Sequence, residues 1–183
     1  MRKVTAGLFH SIDGVVEAPN EWQFDQFDDG LGAALGKVLE ATDTVIMGRK
    51  GYEEWAGFWP NATFDNGFKD FINSVPKHVA SRTLNGKLGW SNSTLVPGDV
   101  DAFVRDLKQK PGGEIAVMGG ISLVRQLFLN GLLDELKLIT HPVIAGAGKR
   151  HLFEAGDPKT RLVLTDEYKT EKGNVVTTYA LKA

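Results

Sequence analysis

The run Thr44-Val45-Ile46-Met47-Gly48-Arg49-Lys50 reads as a buried strand that ends in glycine and leads into a short helix toward Tyr52-Glu53-Glu54-Trp55. Two cations at a helix N-terminus oppose the macrodipole unless an anion joins them, and first-turn N–H groups form an anion site at that place. Phosphate binding is the chemistry this pattern offers; the plainer alternative is an Arg-Lys pair solvated after a strand. Glu114-Ile115-Ala116-Val117-Met118-Gly119-Gly120-Ile121-Ser122 repeats the logic, with a strand running into two glycines and then a helix. The G-x-G-x-x-G spacing of a Rossmann turn is absent, and a Gly-Gly turn that only joins strand to helix is the alternative. Two such junctions in one chain suit a dinucleotide, whose phosphates sit at helix N-termini while its rings lie across strand ends.

Other segments offer less. Pro142-Val143-Ile144-Ala145-Gly146-Ala147-Gly148-Lys149-Arg150 lacks the spacing and the hydroxyl of a P-loop, which leaves a glycine loop carrying two cations. Between Lys3 and Lys37 there is no Lys or Arg, yet Asp13, Glu17, Glu21, Asp25, Asp28 and Asp29 lie among Trp22, Phe24 and Phe27. A carboxylate among aromatics can orient and protonate a heterocycle, because burial raises its pKa. A solvated acidic loop in which Asp28 or Asp29 caps the next helix is the alternative. His10, His78, His141 and His151 show no metal-ligand spacing, so no metal is expected, and no G-x-S-x-G elbow nominates a serine nucleophile.

These residues need a scaffold, and the scaffold is α/β. Strands are predicted near 2–8, 44–48, 77–81, 93–96, 114–118, 134–141, 161–168 and 174–181, and helices near 28–41, 65–73, 100–110 and 121–130. Lys172-Gly173-Asn174 joins the last two strands at hairpin length, which predicts an antiparallel edge on a mostly parallel sheet. Segments 56–66 and 141–160 are predicted as long loops, a common place for function. With 183 residues, 42% of them hydrophobic and 24% charged, the chain supports one core over 1–183 and is neither disordered nor a membrane bundle. A formal charge of -2 asks for no nucleic acid, and the absence of cysteine excludes disulfides and thiolate chemistry. The N-terminal apolar stretch is too short for a signal peptide, so a cytoplasmic protein is expected.

Taken in order, Ser11-Ile12-Asp13-Gly14, Val45 to Lys50, Ser81-Arg82, Val117-Met118-Gly119-Gly120, and Pro142-Val143 through Leu152-Phe153 resemble the dihydrofolate reductase fold. Within that fold they are most similar to the reductase domain of bacterial bifunctional riboflavin-biosynthesis deaminase-reductases, here as a freestanding chain without the cysteines of the zinc-deaminase partner. The resemblance covers nearly the whole chain. It implies a three-layer α/β/α fold with about eight strands and an NADPH-dependent reductase that passes hydride to a pteridine- or phosphoribosylaminopyrimidine-like substrate.

Residue by residue, the resemblance places Thr5, Ala6 and Gly7, with Asp13 and Gly14, beside the nicotinamide. Gly48, Arg49 and Lys50 would hold phosphate, Ser81 and Arg82 the adenosine 2′-phosphate, and Gly119, Gly120, Ile121 and Ser122 the pyrophosphate. Trp22, Phe24, Phe27 and Trp55 would line the substrate pocket, with Phe58 and Trp59 beside them, Lys149 and Arg150 would hold a substrate phosphate, and Asp28 would donate a proton. Folate reduction is the alternative reaction, although Glu21 rather than Pro precedes Trp22. A nucleotide- or pterin-binding protein without turnover is the alternative from another class. Related domains pair, so a homodimer is expected.

Overall fold

Alternation along the first strand, β1 (Val4–Ser11), sends Val4, Ala6 and Leu8 into one core and leaves Thr5, Gly7 and Phe9 on the opposite face. The computed structural model describes residues 1–63 and 67–182. Seven further strands join β1: β2 (Thr42–Gly48), β3 (Lys77–Ala80), β4 (Ser93–Leu95), β5 (Glu114–Met118), β6 (Glu135–His141), β7 (Leu162–Lys169) and β8 (Val175–Leu181). They form one sheet in the order β4-β3-β2-β5-β1-β6-β8-β7, in which β8 pairs antiparallel with both β6 and β7 and the other pairs are parallel.

Among the described residues, five α-helices cover the two faces: α1 (Asp29–Ala41), α2 (Arg49–Phe58), α3 (Phe68–Ser74), α4 (Val100–Gln109) and α5 (Ile121–Leu129). On the face of Val4 and Ala6, α4 and α5 bury Val104, Leu107, Leu123, Val124, Leu127 and Phe128 against Ile46, Ile115, Val117 and Leu136. The other face is covered in two separate patches. Leu31 of α1 packs on Ile139 and Val176, while Tyr52 of α2 and Ile72 of α3 pack on Val45, Met47 and Val79. Between the patches lies the centre of the sheet, and Gly7 there is exposed although β1 has a neighbour on each side. A Cβ at Gly7 would meet nothing within 4 Å, so a trench runs over the middle of this face.

Three segments differ from expectation by more than a shift of one or two residues at an end. β1 runs on to Ser11 because Phe9, His10 and Ser11 pair with Ile139, Thr140 and His141 of β6. Part of the predicted loop 56–66 is helical: α2 continues to Phe58 and a 3-10 turn follows over Trp59–Asn61, where Pro60 suits the first helical positions. The predicted helix at 65–73 is described from Phe68; residues 64–66 of the predicted loop and 65–66 of the predicted helix lie outside the described residues.

Two positions set the tolerance of this fold. A Cβ on Gly51 would stand 1.7 Å from the Gly119 carbonyl oxygen, whereas one on Gly57, in the same helix, would meet nothing within 4 Å. Lys77 is fully buried, and its Nζ donates to the carbonyls of Ile72 (2.8 Å) and Val75 (2.9 Å) while lying 4.6 Å over the Trp90 ring. Burial pushes its pKa down to about 8.

Gly51→Ala is expected to cost about 3 kcal/mol or more, or to prevent folding, while Gly57→Ala is neutral or stabilises by up to about 1 kcal/mol; urea denaturation compares them. Between pH 8 and 10.5 the unfolded chain keeps the Lys77 proton that the folded chain releases, so Lys77 adds stability as pH rises through that window. Lys77→Met removes that rise in the same denaturation assay.

Candidate functional site

The C-terminal ends of β2 and β5 are adjacent in the sheet, and each strand runs through glycine into a helix. Gly48 is the N-cap of α2 and Gly120 the N-cap of α5, and a Cβ on Gly120 would stand 3.1 Å from Gly48 N. Gly119 has φ of +61°, a left-handed conformation that favours glycine, and its peptide packs directly on Gly51. Two helices therefore start side by side.

Their caps set them apart from α1 and α4. Asp28 and Asp99 cap those helices by accepting from Leu31 N and Ala102 N, whereas α2 and α5 have no side-chain cap and no acidic residue in the first turn. Neighbouring first-turn N–H groups, Ile121 and Ser122 among them, are thus left for an anion with two positive dipole ends behind them. Arg49 pairs with Glu53 at 2.7 Å and Lys50 is exposed. In the neighbouring strand, Gly48 stands opposite Ala80, and the loop that follows begins with Ser81 and Arg82. Ser81 Oγ accepts from Leu84 N at 2.9 Å, which shapes the turn and leaves Arg82 exposed.

From this junction the trench extends over β1. Thr5 and Gly7 face it, but the Ala6 side chain does not: it is 3% exposed and lies in the α4–α5 core, so Ala6 has only backbone to offer. The expected aromatic pocket divides. Trp22 is buried edge-on to the His141 ring, Trp55 packs edge-on to Trp59 and Phe68, and Phe24 and Phe27 are exposed by 78% and 50%. Lys149 pairs with Glu21, and the Arg150 guanidinium donates to Ser122 Oγ at 2.9 Å, which places it at the start of α5.

The two nominated carboxylates are tied down. Asp13 accepts from Ala145 N and Gly146 N, each at 2.9 Å, and hydrogen bonds from the Ser11 side chain and these amides hold its pKa down to about 2. Asp28 accepts from Leu31 N at 2.8 Å through Oδ1 and from Lys172 N at 2.9 Å through Oδ2. With the Thr170 hydroxyl these bonds keep the Asp28 carboxyl below its ordinary range. A group so held is ionised at neutral pH.

The sequence reading missed Gly51, whose signal is a glycine in the first turn of a helix that already follows one. It also missed buried His141 and Asn174 with half-buried Gln23, which come from three distant segments.

The fold is dihydrofolate reductase-like, an eight-stranded α/β sheet with an antiparallel C-terminal hairpin. Residues 2–176 match the RibD C-terminal domain family, and the chain belongs to it. The chain is 30% identical over 154 residues to the uncharacterized protein YyaP of Bacillus subtilis (strain 168), covering 81% of this chain and 79% of YyaP. Its fold is similar to that of a protein from Shewanella sp. PV-4 named for riboflavin biosynthesis, with TM-score 0.75 and 20% identity over 99% of both chains. It is also similar to a deaminase/5-amino-6-(5-phosphoribosylamino)uracil reductase of Thermotoga maritima, with TM-score 0.69 and 12% identity, covering 99% of this chain and 57% of that one.

Asp13→Asn is expected to speed hydrogen exchange at the Ala145 and Gly146 amides by about tenfold, since a neutral amide oxygen is a weaker acceptor than a carboxylate. The Asp13 contribution is complete above its ordinary value of 3.8 and is lost as pH falls toward 2, where the two proteins should exchange alike.

Proposed function

We propose that this protein is an NADPH-dependent reductase acting on a small pteridine- or phosphoribosylaminopyrimidine-like substrate bound in the trench. One observation carries this reading: the uncapped N-termini of α2 and α5 meet at the glycine junction beside an open stretch of the central strand. Such a pair suits a pyrophosphate better than a single charge. NADPH, when bound, supplies a hydride from its nicotinamide ring.

The chain's own part is binding and positioning. The first-turn amides of Gly48, Arg49 and Lys50 and of Gly120, Ile121 and Ser122 would hold phosphate, with Arg150 beside Ser122 adding charge at this end. Arg82, in the loop next to Gly48, would meet a 2′-phosphate and so prefer NADPH to NADH. Gly7 and Thr5 would allow a ring to lie flat on the sheet, and Gly14 would close over it. Family membership and the likeness to reductase folds support the reaction class.

A second reading is a dinucleotide-binding protein without turnover. It is favoured by the Asp28 geometry, because the carboxylate nominated for protonation is engaged as a helix cap. That geometry also counts against folate reduction. For assembly we propose a homodimer through β7, an edge strand on which Val163 and Leu164 are exposed by 42% and 48%.

Calorimetric titration with NADPH and NADH tests the cofactor. NADPH is expected to bind at least about tenfold more tightly, and Arg82→Ala to remove most of that difference. If neither dinucleotide binds, both readings fall. If NADPH binds tightly but is not oxidised with a panel of pterins and phosphoribosylaminopyrimidines, the binding reading replaces the reductase.

A further inference from the structure

His141 ends β6 and is fully buried, and its hydrogen-bond partners fix which nitrogen carries the proton. Nδ1 lies 2.6 Å from Asn174 Oδ1, and Nε2 lies 3.1 Å from Gln23 Nε2. The Asn174 amide cannot be reversed, because its Nδ2 donates at 2.8 Å to both the Gln26 carbonyl and Thr170 Oγ1. Asn174 Oδ1 is therefore the acceptor, His141 Nδ1 holds the hydrogen, and Nε2 accepts from the Gln23 amide. Thr170, having accepted from Asn174, gives its own hydrogen to the Asp28 carboxylate. Donors thus point one way from Gln23 through His141, Asn174 and Thr170 to a single anion.

As the Gln23 amide stands, a neutral imidazole completes this run. A second proton on His141 would place an N–H against the N–H2 of Gln23, two donors face to face, so that the Gln23 amide must turn over or withdraw. Gln23 links the end of β6 by a hydrogen bond to a tight turn, which Glu21 also ties to Lys149 and in which Trp22 N and Gln23 N donate to the Pro19 carbonyl and Trp22 Nε1 donates to the Glu17 carbonyl. Ala18 and Phe24 bracket that turn with φ of +47° and +48°, strained values for residues with side chains. Strain of this kind persists only while neighbouring contacts enforce it. Phe9, on the trench face of β1, stacks at 5.4 Å on the His141 ring, so the turn stands beside the trench.

We propose that His141 is a positioning residue that holds residues 18–24 against the end of β6 only while its imidazole is neutral, and that acidification releases this turn beside the trench. Among the described residues, Asp28, before α1, is the charge that favours the imidazolium; Gln23 and Trp22 from the turn, Phe9 from β1 and Asn174 from the hairpin are uncharged. Burial opposes the charge more strongly, and the His141 pKa lies below its ordinary 6.5. The effect on function rests on the reading of the trench as a ligand site, but the latch itself does not.

The test follows the histidine Cε1–H NMR signals and tryptophan fluorescence from about pH 7.5 to about pH 4.5 in the ligand-free protein, with the pKa set by environment. His141 is expected to titrate below 6.5, with a coincident change in emission that disappears in Trp22→Phe. Gln23→Glu supplies an acceptor for the imidazolium and should move both midpoints up by at least about one pH unit, a tenfold gain in proton affinity. A residue that only fills space would not respond in this way. Identical midpoints in the wild type and Gln23→Glu, or a His141 titration without any Trp22 response, would overturn the proposal. NADPH titration across the same range is a separate arm: affinity that follows the shifted midpoint ties the latch to the trench. No binding at any pH removes the cofactor reading while the spectra still decide the latch.

Discussion

The contact between the peptide of Gly119 and the first turn of α2 is the constraint on which the architecture turns. Backbone meets backbone there with no space for a Cβ on Gly51, and that closeness allows two strand-to-helix connections to leave adjacent strands at the same level. The helices then diverge to opposite faces, α2 over Val45 and Met47 and α5 over Val4 and Ile115. Their N-termini remain together. A side chain at the junction would push the helices apart and separate the amides that make the site an anion cradle.

A second set of contacts joins the stretch after β1 to the long connection between β6 and β7. Ile12 N donates to the Val143 carbonyl, Val16 N to the Arg150 carbonyl, Val15 bridges His151, and Asp13 and Glu17 receive amides from the other side. Arg125 of α5 holds Asp157 in a paired contact and so anchors the same connection to the helix. Residues 12–17 and 143–151 consequently form one layered unit at the strand ends, although neither belongs to the sheet. It is held by backbone hydrogen bonds and by Val16 and Leu152, which are buried in the α4–α5 core.

Much of this was legible in the sequence because it is local. The β5 boundaries at Glu114 and Met118 agree with the apolar run, and the glycines after β2 and β5 mark the junction through a short-range need for close approach. The role of Asp28 was not legible in that way. Whether a carboxylate caps a helix or faces a ligand depended on Thr170 and Lys172, brought to it by the far end of the chain. The side of the sheet that the Ala6 side chain takes was not legible for a related reason: alternation tells that neighbours face opposite sides, but only packing decides which side holds the helices. His141 carried no sequence signal, since its meaning lies in the orientation of one asparagine amide.

The strand order also bears on how the molecule is made. β1 is synthesised first, yet it lies between β5 and β6, whose residues begin at Glu114 and Glu135. At about 5–20 residues per second, its edges wait for several seconds or more during translation before either partner exists. Leu8 and Phe9 spend that interval without their sheet neighbours. During that interval the edges of β1 stand open to other pairings, and the glycine junction closes only once β5 has been made.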